Sequence, residues 1–353
     1  MKLTDICEFH GGSQPPKSEW SSEYKDGYIR MLQIRDFTQE GRVTPEYVKI
    51  SNRLRLCTED DILIGRYGAS VGKILSGKSG AYNVAIMKAV PDTSVVRKQY
   101  LRYYFLSPNF QNYILNLGGR AAQAGFSKDD LARLEITVVS LEEQDKIVNE
   151  LSTLEKTIST KQKQLKEFDD LVKSRFIEMF GDPQNNNKQF PTKKLIDVVT
   201  LQRGHDLPVQ NRDSHGSVPV YGSNGVLGFH TIAKCDRGII TGRSGTIGEV
   251  YVSEEPFWPL NTTLYSNNTH GNNLIYLKYL LMFFNLKRFK SGAGVPTLNR
   301  NEFHGKEIMD VPIELQNDFA DFVKLIDKSK FIVQKQIDDL QELLDSKMDE
   351  YFG

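Results

Sequence analysis

Apolar residues recur at alternating steps of three and four along two stretches of the chain, which is the spacing of a coiled-coil helix. The apolar positions of this series in the first stretch are Leu151, Leu154, Ile158, Leu165, Phe168 and Val172. Those in the second stretch are Val323, Ile326, Val333, Ile337, Leu340 and Leu344. Lys161 and Arg175 interrupt the first series, and Lys330 and Lys347 interrupt the second. The pattern predicts two long helices that pair with one another, with the polar interruptions fixing their register.

The two predicted helices are copies of one another. Residues 140–181 align without a gap with residues 312–353, match at eleven positions and share a final Phe-Gly. The segments that precede the copies repeat as well, since the Gly-Arg-Tyr-Gly of residues 65–68 corresponds to the Gly-Arg-Ser-Gly of residues 242–245. This organisation predicts two similar modules, each followed by a long helix.

The repeat divides the chain into five segments. We assign module 1 to residues 1–140, the first long helix to 141–181, a linker to 182–192, module 2 to 193–313 and the second long helix to 314–353. Within each module, short β-rich runs separated by Gly, Ser and Asn come before an amphipathic helix, which predicts a mixed α/β fold.

The length of the linker predicts the direction of the second helix. A helix of about 38 residues spans roughly 55–60 Å, whereas a linker of about 11 residues reaches at most about 40 Å. Module 2 is therefore expected to begin near the far end of the first helix, and the second helix to return antiparallel to it. The predicted architecture is a pseudo-twofold internal repeat, in which two mixed α/β modules are separated by a pair of long antiparallel coiled-coil helices.

Charge is distributed unevenly, although the 353 residues have no net charge. Residues 1–140 carry 19 Lys and Arg against 15 Asp and Glu, and residues 182–313 carry 14 against 11, so both modules are basic. The helical segments carry 7 against 9 and 5 against 10, so they are acidic. A basic excess favours a nucleic-acid partner, while ordinary domains beside a solvated helix surface would give the same asymmetry.

No catalytic signature accompanies this organisation. The cysteines, Cys7, Cys57 and Cys235, are far apart, and no His or Cys spacing matches a metal site. Residues 68–73 resemble a phosphate-binding loop but have three residues rather than four between the glycines, and Ile74 replaces the Mg²⁺-binding Ser or Thr. No apolar run is long enough to cross a membrane, which predicts a cytoplasmic protein. We expect a chain that is not an enzyme and holds no metal.

Glycine-rich turns that carry a basic residue are the best candidates for binding nucleic acid. Glycine lets the backbone approach another surface closely, and the planar fork of arginine fits guanine or phosphate. The candidate contacts are Arg35, Arg66, Tyr67, Lys73, Arg120, Gln123, Lys128, Arg203, Tyr221, Ser223, Asn224, Arg243, Ser244, Lys290, Thr297 and Arg300. Arg66 and Arg243 are the first choices, followed by Arg120 and Arg300. A tight hairpin with a solvated arginine is the alternative interpretation of each turn taken alone.

A set of short motifs occurs in a fixed order along the chain. They are the Leu-x-Asp-Ile/Val openings at residues 3–6 and 195–198, the Tyr-Gly-Ser-Asn-Gly of 221–225, the Gly-Arg-Ser-Gly-Thr-Ile-Gly of 242–248, the helix entries at 141–144 and 313–316, and the Phe-Gly helix ends. Together they resemble the specificity subunit of type I restriction-modification systems, and the resemblance covers essentially the whole chain. One departure is Ser140, which stands where the second copy has Pro312 before the helix.

The resemblance implies a function for each part. Each module would be a target-recognition domain for one half of a split double-stranded DNA site, and the helices would fix the gap between the halves. Two modification subunits would dock along the helices and methylate an adenine N6 in each half-site with S-adenosylmethionine. Restriction subunits, which use ATP and Mg²⁺, would cleave the DNA. This chain would supply sequence specificity, with no cofactor of its own, and its unequal modules predict unequal half-sites.

Two other functions fit the sequence. A non-catalytic coiled-coil scaffold whose modules bind protein partners would agree with the zero net charge. Salt dependence separates it from a DNA-binding protein, because DNA binding weakens steeply with salt and a largely apolar protein interface does not. An enzyme with an unrecognised site would have to show turnover by the isolated chain.

Overall fold

The structure, a computed structural model, describes residues 1–39, 41–118, 125–213, 215–292, 294 and 296–353. It divides into two compact units, residues Met1–Thr160 with Gln336–Gly353, and residues Lys161–Lys335. Module 1 belongs to the first unit and module 2 to the second, and each long helix contributes one part to each unit. The five-segment division proposed from the sequence stays a prediction.

Module 1 alternates short strands and helices. Its strands are β1 (Cys7–Gly11), β2 (Trp20–Ser21), β3 (Tyr28–Leu32), β4 (Tyr47–Lys49), β5 (Leu56–Cys57), β6 (Ile62–Gly65), β7 (Ile74–Leu75), β8 (Gly80–Tyr82) and β9 (Ile86–Pro91). Its α-helices are α1 (Leu3–Ile6), α2 (Ile34–Thr38), α3 (Lys98–Leu106), α4 (Pro108–Gly118) and α5 (Lys128–Leu131), with 3₁₀ turns at Lys17–Glu19 and Gly68–Ser70.

Two sheets organise module 1. The four-stranded sheet has the order β1-β9-β6-β7 with antiparallel neighbours, and Ile64 lies opposite Met87 in its central pair. The five-stranded sheet has the order β2-β4-β3-β8-β5, in which β3 runs parallel to β8. Ile64 and Met87 pack in one buried cluster with Leu101 and Phe105 of α3. The helix therefore covers the face of the four-stranded sheet.

Module 2 follows with its own strands and helices. Its strands are β10 (Thr192–Lys194), β11 (Thr200–Arg203), β12 (Val218–Gly222), β13 (Gly225–His230), β14 (Gly238–Gly242), β15 (Val250–Ser253), β16 (Trp258–Pro259), β17 (Thr263–Asn268), β18 (Lys290–Ser291), β19 (Thr297–Leu298) and β20 (Glu307–Met309). Its α-helices are α7 (Leu195–Val198) and α8 (Leu274–Phe284), with 3₁₀ turns at Val209–Asn211, Leu286–Phe289 and Arg300–Glu302.

The strand order of module 2 repeats that of module 1. Its four-stranded sheet, β11-β17-β14-β15, matches β1-β9-β6-β7 strand for strand. The parallel pair recurs as β12 beside β16, and β13 pairs antiparallel with the other edge of β12. Two small sheets, β10-β20 and β18-β19, complete the module. The predicted pair of similar mixed α/β modules is confirmed.

Local signals set the ends of α8. The side-chain oxygen of Asn273 accepts hydrogen bonds from the backbone N–H groups of Ile275 (2.9 Å) and Tyr276 (3.4 Å), which caps the helix. Asn285 ends it with φ of 57°, a left-handed conformation that asparagine tolerates. The residues of α8 that are buried in the core are Leu274, Tyr276, Leu277, Leu280, Leu281 and Phe284.

The two predicted long helices are α6 (Leu141–Phe180) and α9 (Ile313–Phe352). In the second unit Asp169 pairs with Lys330 at 2.6 Å, and the Phe176 ring lies 5.4 Å from that of Phe319. Residue numbers rise along α6 as they fall along α9, so the helices are antiparallel. Every apolar position predicted for the pairing seam is buried or half-buried.

The polar interruption of the seam at Lys347 has partners. In the first unit its ammonium group lies 2.9 Å from a Glu350 oxygen and 3.4 Å from a Glu150 oxygen. The Tyr351 hydroxyl also donates to Glu150, at 2.6 Å. The hydrogen bond to Glu350, together with the nearby carboxylates, raises the pKa of Lys347. Such pairs select one alignment of the helices, as expected of polar residues in a coiled-coil seam.

Both Phe-Gly ends are anchored in a module core. Phe352 lies against Tyr100 and Tyr104 in the first unit, with ring centroids 5.0 and 6.4 Å apart. Phe180 lies 5.2 Å from Tyr276 in the second unit. Both phenylalanines are buried, and burying such a side chain contributes about 2–3 kcal/mol. The repeated Phe-Gly therefore corresponds to the same packing contact in each unit.

A buried glutamine ties the start of each long helix to its module. Gln144 and Gln316 are 0% and 1% exposed. Each side-chain oxygen accepts a hydrogen bond from a backbone N–H just before the module's helix, that of Arg97 (2.7 Å) or Asn273 (2.9 Å). Each side-chain amide donates to the carbonyl oxygen five residues earlier in the chain, at 2.9 and 2.8 Å. Because a buried amide without partners costs about 1–3 kcal/mol, these bonds fix the angle at which the helix leaves the module.

Candidate nucleic-acid interface

The Gly-Arg-Ser-Gly turn of module 2 follows β14 and requires its glycines. Gly242 has no room for a side chain, since a Cβ there would lie 1.7 Å from the carbonyl oxygen of Thr246. Gly245 has φ of +87°, which favours glycine. The N–H of Leu298 donates to the carbonyl oxygen of Arg243 at 2.7 Å. The turn is thus held against β19.

Three of the predicted arginines meet beside this turn. Arg203, Arg243 and Arg300 line a cleft of about 420 Å³. The cleft's other lining residues are Leu264, Ser291, Thr297, Leu298 and Asn299. Thr297 is also a predicted contact, so the fold brings four of the predicted contacts together. Closely spaced guanidinium and hydroxyl groups suit an anionic or acceptor-rich ligand such as DNA.

A hydrogen bond and an ion pair orient two guanidinium groups of the cleft. Arg243 Nη1 donates to the carbonyl oxygen of Asn261 at 3.1 Å. Arg203 Nη2 lies 3.5 Å from Asp206 Oδ1, and its side chain is about half exposed. A guanidinium has five N–H donors, so a single tether leaves most of them for a base or a phosphate. The tethers hold the forks in place before any ligand arrives.

His304 supports the base of the cleft. Its Nε2 accepts a hydrogen bond from the N–H of Leu201 at 3.2 Å, while Arg300 Nη1 donates to the carbonyl oxygen of Leu201 at 3.3 Å. Burial, and secondly the charge of Arg300, lower the pKa of His304. The imidazole is therefore neutral at pH 7 and can act as the acceptor. His304 is a positioning residue that the sequence analysis missed, and the motifs at 141–144 and 313–316 contain the two helix-entry glutamines without revealing their positioning role, because spacing carries no signal for a partner distant in sequence.

The hairpin of β12 and β13 brings a second group of predicted contacts to the turn. Ser223 lies next to it, with its Cβ 3.2 Å from where a Cβ of Gly242 would be. Asn224 is exposed between the two strands. Tyr221 is half-buried, and its ring lies 5.7 Å from that of Phe257 in a small apolar cluster. Ser223 is therefore placed beside the two glycines of the arginine turn, whereas the Tyr221 ring is partly occupied in packing.

Module 1 carries the counterpart of this turn. Tyr67 forms a β-bridge with Gly125, as the corresponding serine of module 2 does with β19. Arg66 donates through Nη2 to the carbonyl oxygen of Phe126 at 3.4 Å, and its guanidinium lies 5.0 Å from the Tyr67 ring centroid. Tyr67 is 44% exposed. Module 1 thus presents an arginine beside an exposed aromatic ring at the place where module 2 presents an arginine beside Ser244.

Arg35 lies in a different environment. It forms an ion pair with Glu46, and the two residues line a separate cavity of about 360 Å³ together with Trp20 and Gln33. Because a carboxylate already matches its charge, Arg35 is a weaker candidate for a phosphate than Arg243 and Arg300, which donate to backbone carbonyl oxygens.

Three predicted lysine contacts are exposed and do not line the arginine cleft. Lys73 is exposed after the turn of module 1, Lys128 is exposed as the first residue of α5, and Lys290 is exposed on β18. Arg120 and Gln123 lie outside the described residues.

The described part of the chain holds neither a metal-binding cluster nor a membrane-spanning helix. Within residues 1–39, 41–118, 125–213, 215–292, 294 and 296–353, no group of three His, Cys, Asp or Glu could hold a metal ion. Over these residues, no helix has both the length and the apolar character needed to cross a membrane. Burial raises the thiol pKa of Cys7 to about 12 and that of Cys57 to about 11. Both thiols are therefore protonated and unreactive at pH 7.

Comparison with known proteins gives this geometry a context. The model of the type I restriction modification DNA specificity domain matches residues 1–168 and 187–342. The type I restriction enzyme MjaIX specificity subunit of Methanocaldococcus jannaschii is 23% identical over 402 residues, covering 98% of this chain and 90% of the relative. The MjaVIII specificity subunit of the same organism is 23% identical over 216 residues, covering 58% and 49%.

Solved structures share the fold. The crystal structure of a type I restriction-modification S subunit from M. genitalium superimposes with a TM-score of 0.60 at 17% identity, covering 100% of this chain and 95% of the other. A chain from a structure of the type I R-M system, on its complex assembly and conformational transition, gives 0.63 at 13% identity, covering 100% and 96%. The family model spans most of both repeats. The chain belongs to the type I restriction-modification DNA specificity subunit family.

Proposed function

We propose that this specificity subunit binds a bipartite double-stranded DNA site, with one module on each half-site. The observation that carries the proposal is the arginine-lined cleft of module 2, held in shape by the glycine turn of residues 242–245. The counterpart in module 1, Arg66 beside Tyr67, supports a second reading surface. A duplicated fold with a binding turn in each copy fits a target in two parts.

The cleft can combine base reading with phosphate binding. In the DNA major groove, an arginine fork donates two hydrogen bonds to the O6 and N7 atoms of guanine. Arg243 is the residue proposed for this role, because its tether to Asn261 orients the fork. Arg203 and Arg300 contribute positive charge beside it, which attracts the phosphate backbone.

The two half-sites are proposed to differ in sequence. Module 1 has the aromatic ring of Tyr67 at the position where module 2 has the hydroxyl of Ser244. Lys128 of module 1 begins a short helical turn as Arg300 does in module 2, but an ammonium group lacks the planar fork. Different donors at corresponding positions select different bases.

We also propose that two modification subunits dock along the long helices and methylate an adenine N6 in each half-site. Leu171 and Leu343 occupy equivalent positions on α6 and α9 and are 46% and 45% exposed. Near its middle, α9 also exposes Phe331 and Ile332, at 73% and 56%. Large apolar side chains exposed on an otherwise charged helix indicate a protein interface.

Replacing both Phe331 and Ile332 with aspartate should remove at least one modification subunit from the purified complex. A carboxylate without a partner in an apolar interface costs several kcal/mol, while both positions are exposed in the chain itself. The corresponding positions of α6 are Ser159 and Thr160, so the matched control places aspartates there and should keep both copies. Native mass spectrometry would count the subunits. Two copies bound to the F331D/I332D variant would contradict the proposed docking surface.

Catalysis and its cofactors are proposed to belong to the partner subunits. The cleft of module 2 is lined by guanidinium and hydroxyl groups, which suit phosphates and base edges rather than a cation. S-adenosylmethionine would bind the modification subunits, and ATP with Mg²⁺ the restriction subunits. This chain would determine where they act.

The experiment that tests the proposed function is selection of bound duplexes from a random library, using the full chain with its modification subunit. The expected result is one bipartite sequence, bound with an affinity that falls steeply between 50 and 200 mM salt. A coiled-coil scaffold whose modules bind proteins is the alternative, and it would enrich no sequence. Failure of the library to converge would overturn the proposal.

A further inference from the structure

Module 2 exposes apolar side chains on β13, the second strand of its hairpin. Val226, Leu227 and Phe229 are 48%, 51% and 46% exposed. Large apolar side chains in water forgo the free energy of burial, so several of them on one short strand indicate a surface that another molecule covers. The neighbouring residues identify the chemistry of that molecule.

A β-bulge interrupts the pairing of β12 with β13 at Leu227. Val220 pairs with Gly228 and Tyr221 pairs with Val226, so Leu227 is the extra residue of β13. Bulges twist a strand, redirect a side chain and are frequent beside functional sites. The bulge therefore sets Leu227 apart from the regularly paired residues of β13.

The side chain of Leu227 lies against Gly222, one residue before Ser223 and the arginine turn. A Cβ on Gly222 would be 2.2 Å from Leu227 Cδ1, so a glycine is needed beneath the leucine. The next residue, Ser223, lies 3.2 Å from the Cβ position of Gly242. Leu227 is thus connected through two small residues to the turn that carries Arg243.

This setting favours DNA over an apolar protein surface as the occupant. In the major groove, a guanine offers two acceptors to an arginine, and a neighbouring thymine offers its 5-methyl group to an apolar side chain. A protein surface that matched Leu227 would leave the remaining donors of Arg203 and Arg243 without acceptors, at a cost in desolvation. One stretch of major groove can satisfy the arginines and the leucine together.

We propose that Leu227 contacts the 5-methyl group of a thymine in the half-site bound by module 2. The inference rests on the proposed function and adds a specificity-determining residue to it. It applies to module 2, because in module 1 the strand that corresponds to β12, β3, leads into α2 instead of a tight hairpin. The half-site of module 2 is thereby assigned an A·T pair next to the base pair that Arg243 contacts.

The test replaces thymine with deoxyuridine, which removes only the 5-methyl group. After the bound sequence has been selected, duplexes with dU at each thymine of the module 2 half-site are compared with the parent duplex. For the full chain with its modification subunit, one substitution should weaken binding about three- to tenfold, the loss expected for one buried methyl group. The Leu227→Ala variant should bind the dT and dU duplexes equally.

Two further variants serve as controls for the position and the apolar character of Leu227. Val226→Ala changes the adjacent exposed residue and should preserve the preference for dT. Leu227→Met keeps an apolar side chain at the bulge and should retain most of it. Because Leu227 is half exposed, each variant should unfold near the wild-type temperature, which a thermal melt would check.

The outcomes separate the two proposals. Equal binding of dT and dU duplexes by the wild-type chain, with a selected sequence still preferred, would overturn the leucine contact and leave the proposed function standing. Absence of any preferred sequence would instead overturn the proposed function. If Leu227→Asp released a bound protein while leaving the dT preference unchanged, β13 would be a protein interface and the thymine contact would be wrong.

Discussion

Replacing Arg243 with alanine is expected to weaken binding to the module 2 half-site by about 1–3 kcal/mol and to relax the base preference at one of its positions. One donor of this guanidinium is held by the carbonyl oxygen of Asn261, and the group lines the cleft with its remaining donors available to DNA. The module 1 half-site should be bound as before, since Arg243 belongs to the other compact unit. Competition binding against duplexes with every single-base change would measure both effects.

A second variant of Arg243 distinguishes a base contact from a phosphate contact. Arg243→Lys keeps the charge but loses the planar fork, so a base contact should be lost while a phosphate contact is largely kept. Arg237→Ala removes an exposed arginine that lines a different cavity of module 2, and this control should not change base preference. A loss that is equal for all sequences would demote Arg243 to a phosphate contact. Unchanged binding by the alanine variant would refute its role.

The parts of the fold that could be predicted are those that one periodic pattern determines. The seam of alternating three- and four-residue steps predicts the helices observed as α6 and α9, because a single stripe must stay facing its partner over the whole length. The repeated Phe-Gly indicates equivalent ends, and the structure places Phe180 and Phe352 against corresponding tyrosines. Such signals are local in sequence and strong because they occur twice.

The arginine cleft could be predicted only in part. Its three arginines come from the end of β11, the turn after β14 and the 3₁₀ turn that begins at Arg300, and the sheet order β11-β17-β14 brings the first two close. Strand order follows from long-range pairing, which no spacing in one sequence reveals. For the same reason the ion pair of Arg35 with Glu46 and the bulge at Leu227 emerge only from the fold.

Deleting one heptad from each long helix is expected to shorten the gap between the half-sites by about three base pairs. Seven helical residues span roughly 10.5 Å, and the rise per base pair is about 3.4 Å. Residues 157–163 and 333–339 are suitable, because each deletion keeps the three-four spacing of the seam and leaves both modules intact. Mapping methylated adenines in a genome would give the new gap, with the bases of each half-site unchanged.

A deletion in α9 alone is the matched control, and two ion pairs explain why it should fail. Lys330 pairs with Asp169 at 2.6 Å, and Lys347 pairs with Glu150 at 3.4 Å. Residues 333–339 lie between the two lysines and residues 157–163 lie between the two carboxylates, so the double deletion preserves both pairs. Removing one segment alone shifts one ion pair by roughly 10.5 Å relative to the other ion pair, so the two ion pairs cannot form together. If the double deletion left the gap unchanged, the helices would not set the distance between the half-sites. A change in the recognised bases would mean that the helices also influence how the modules read DNA.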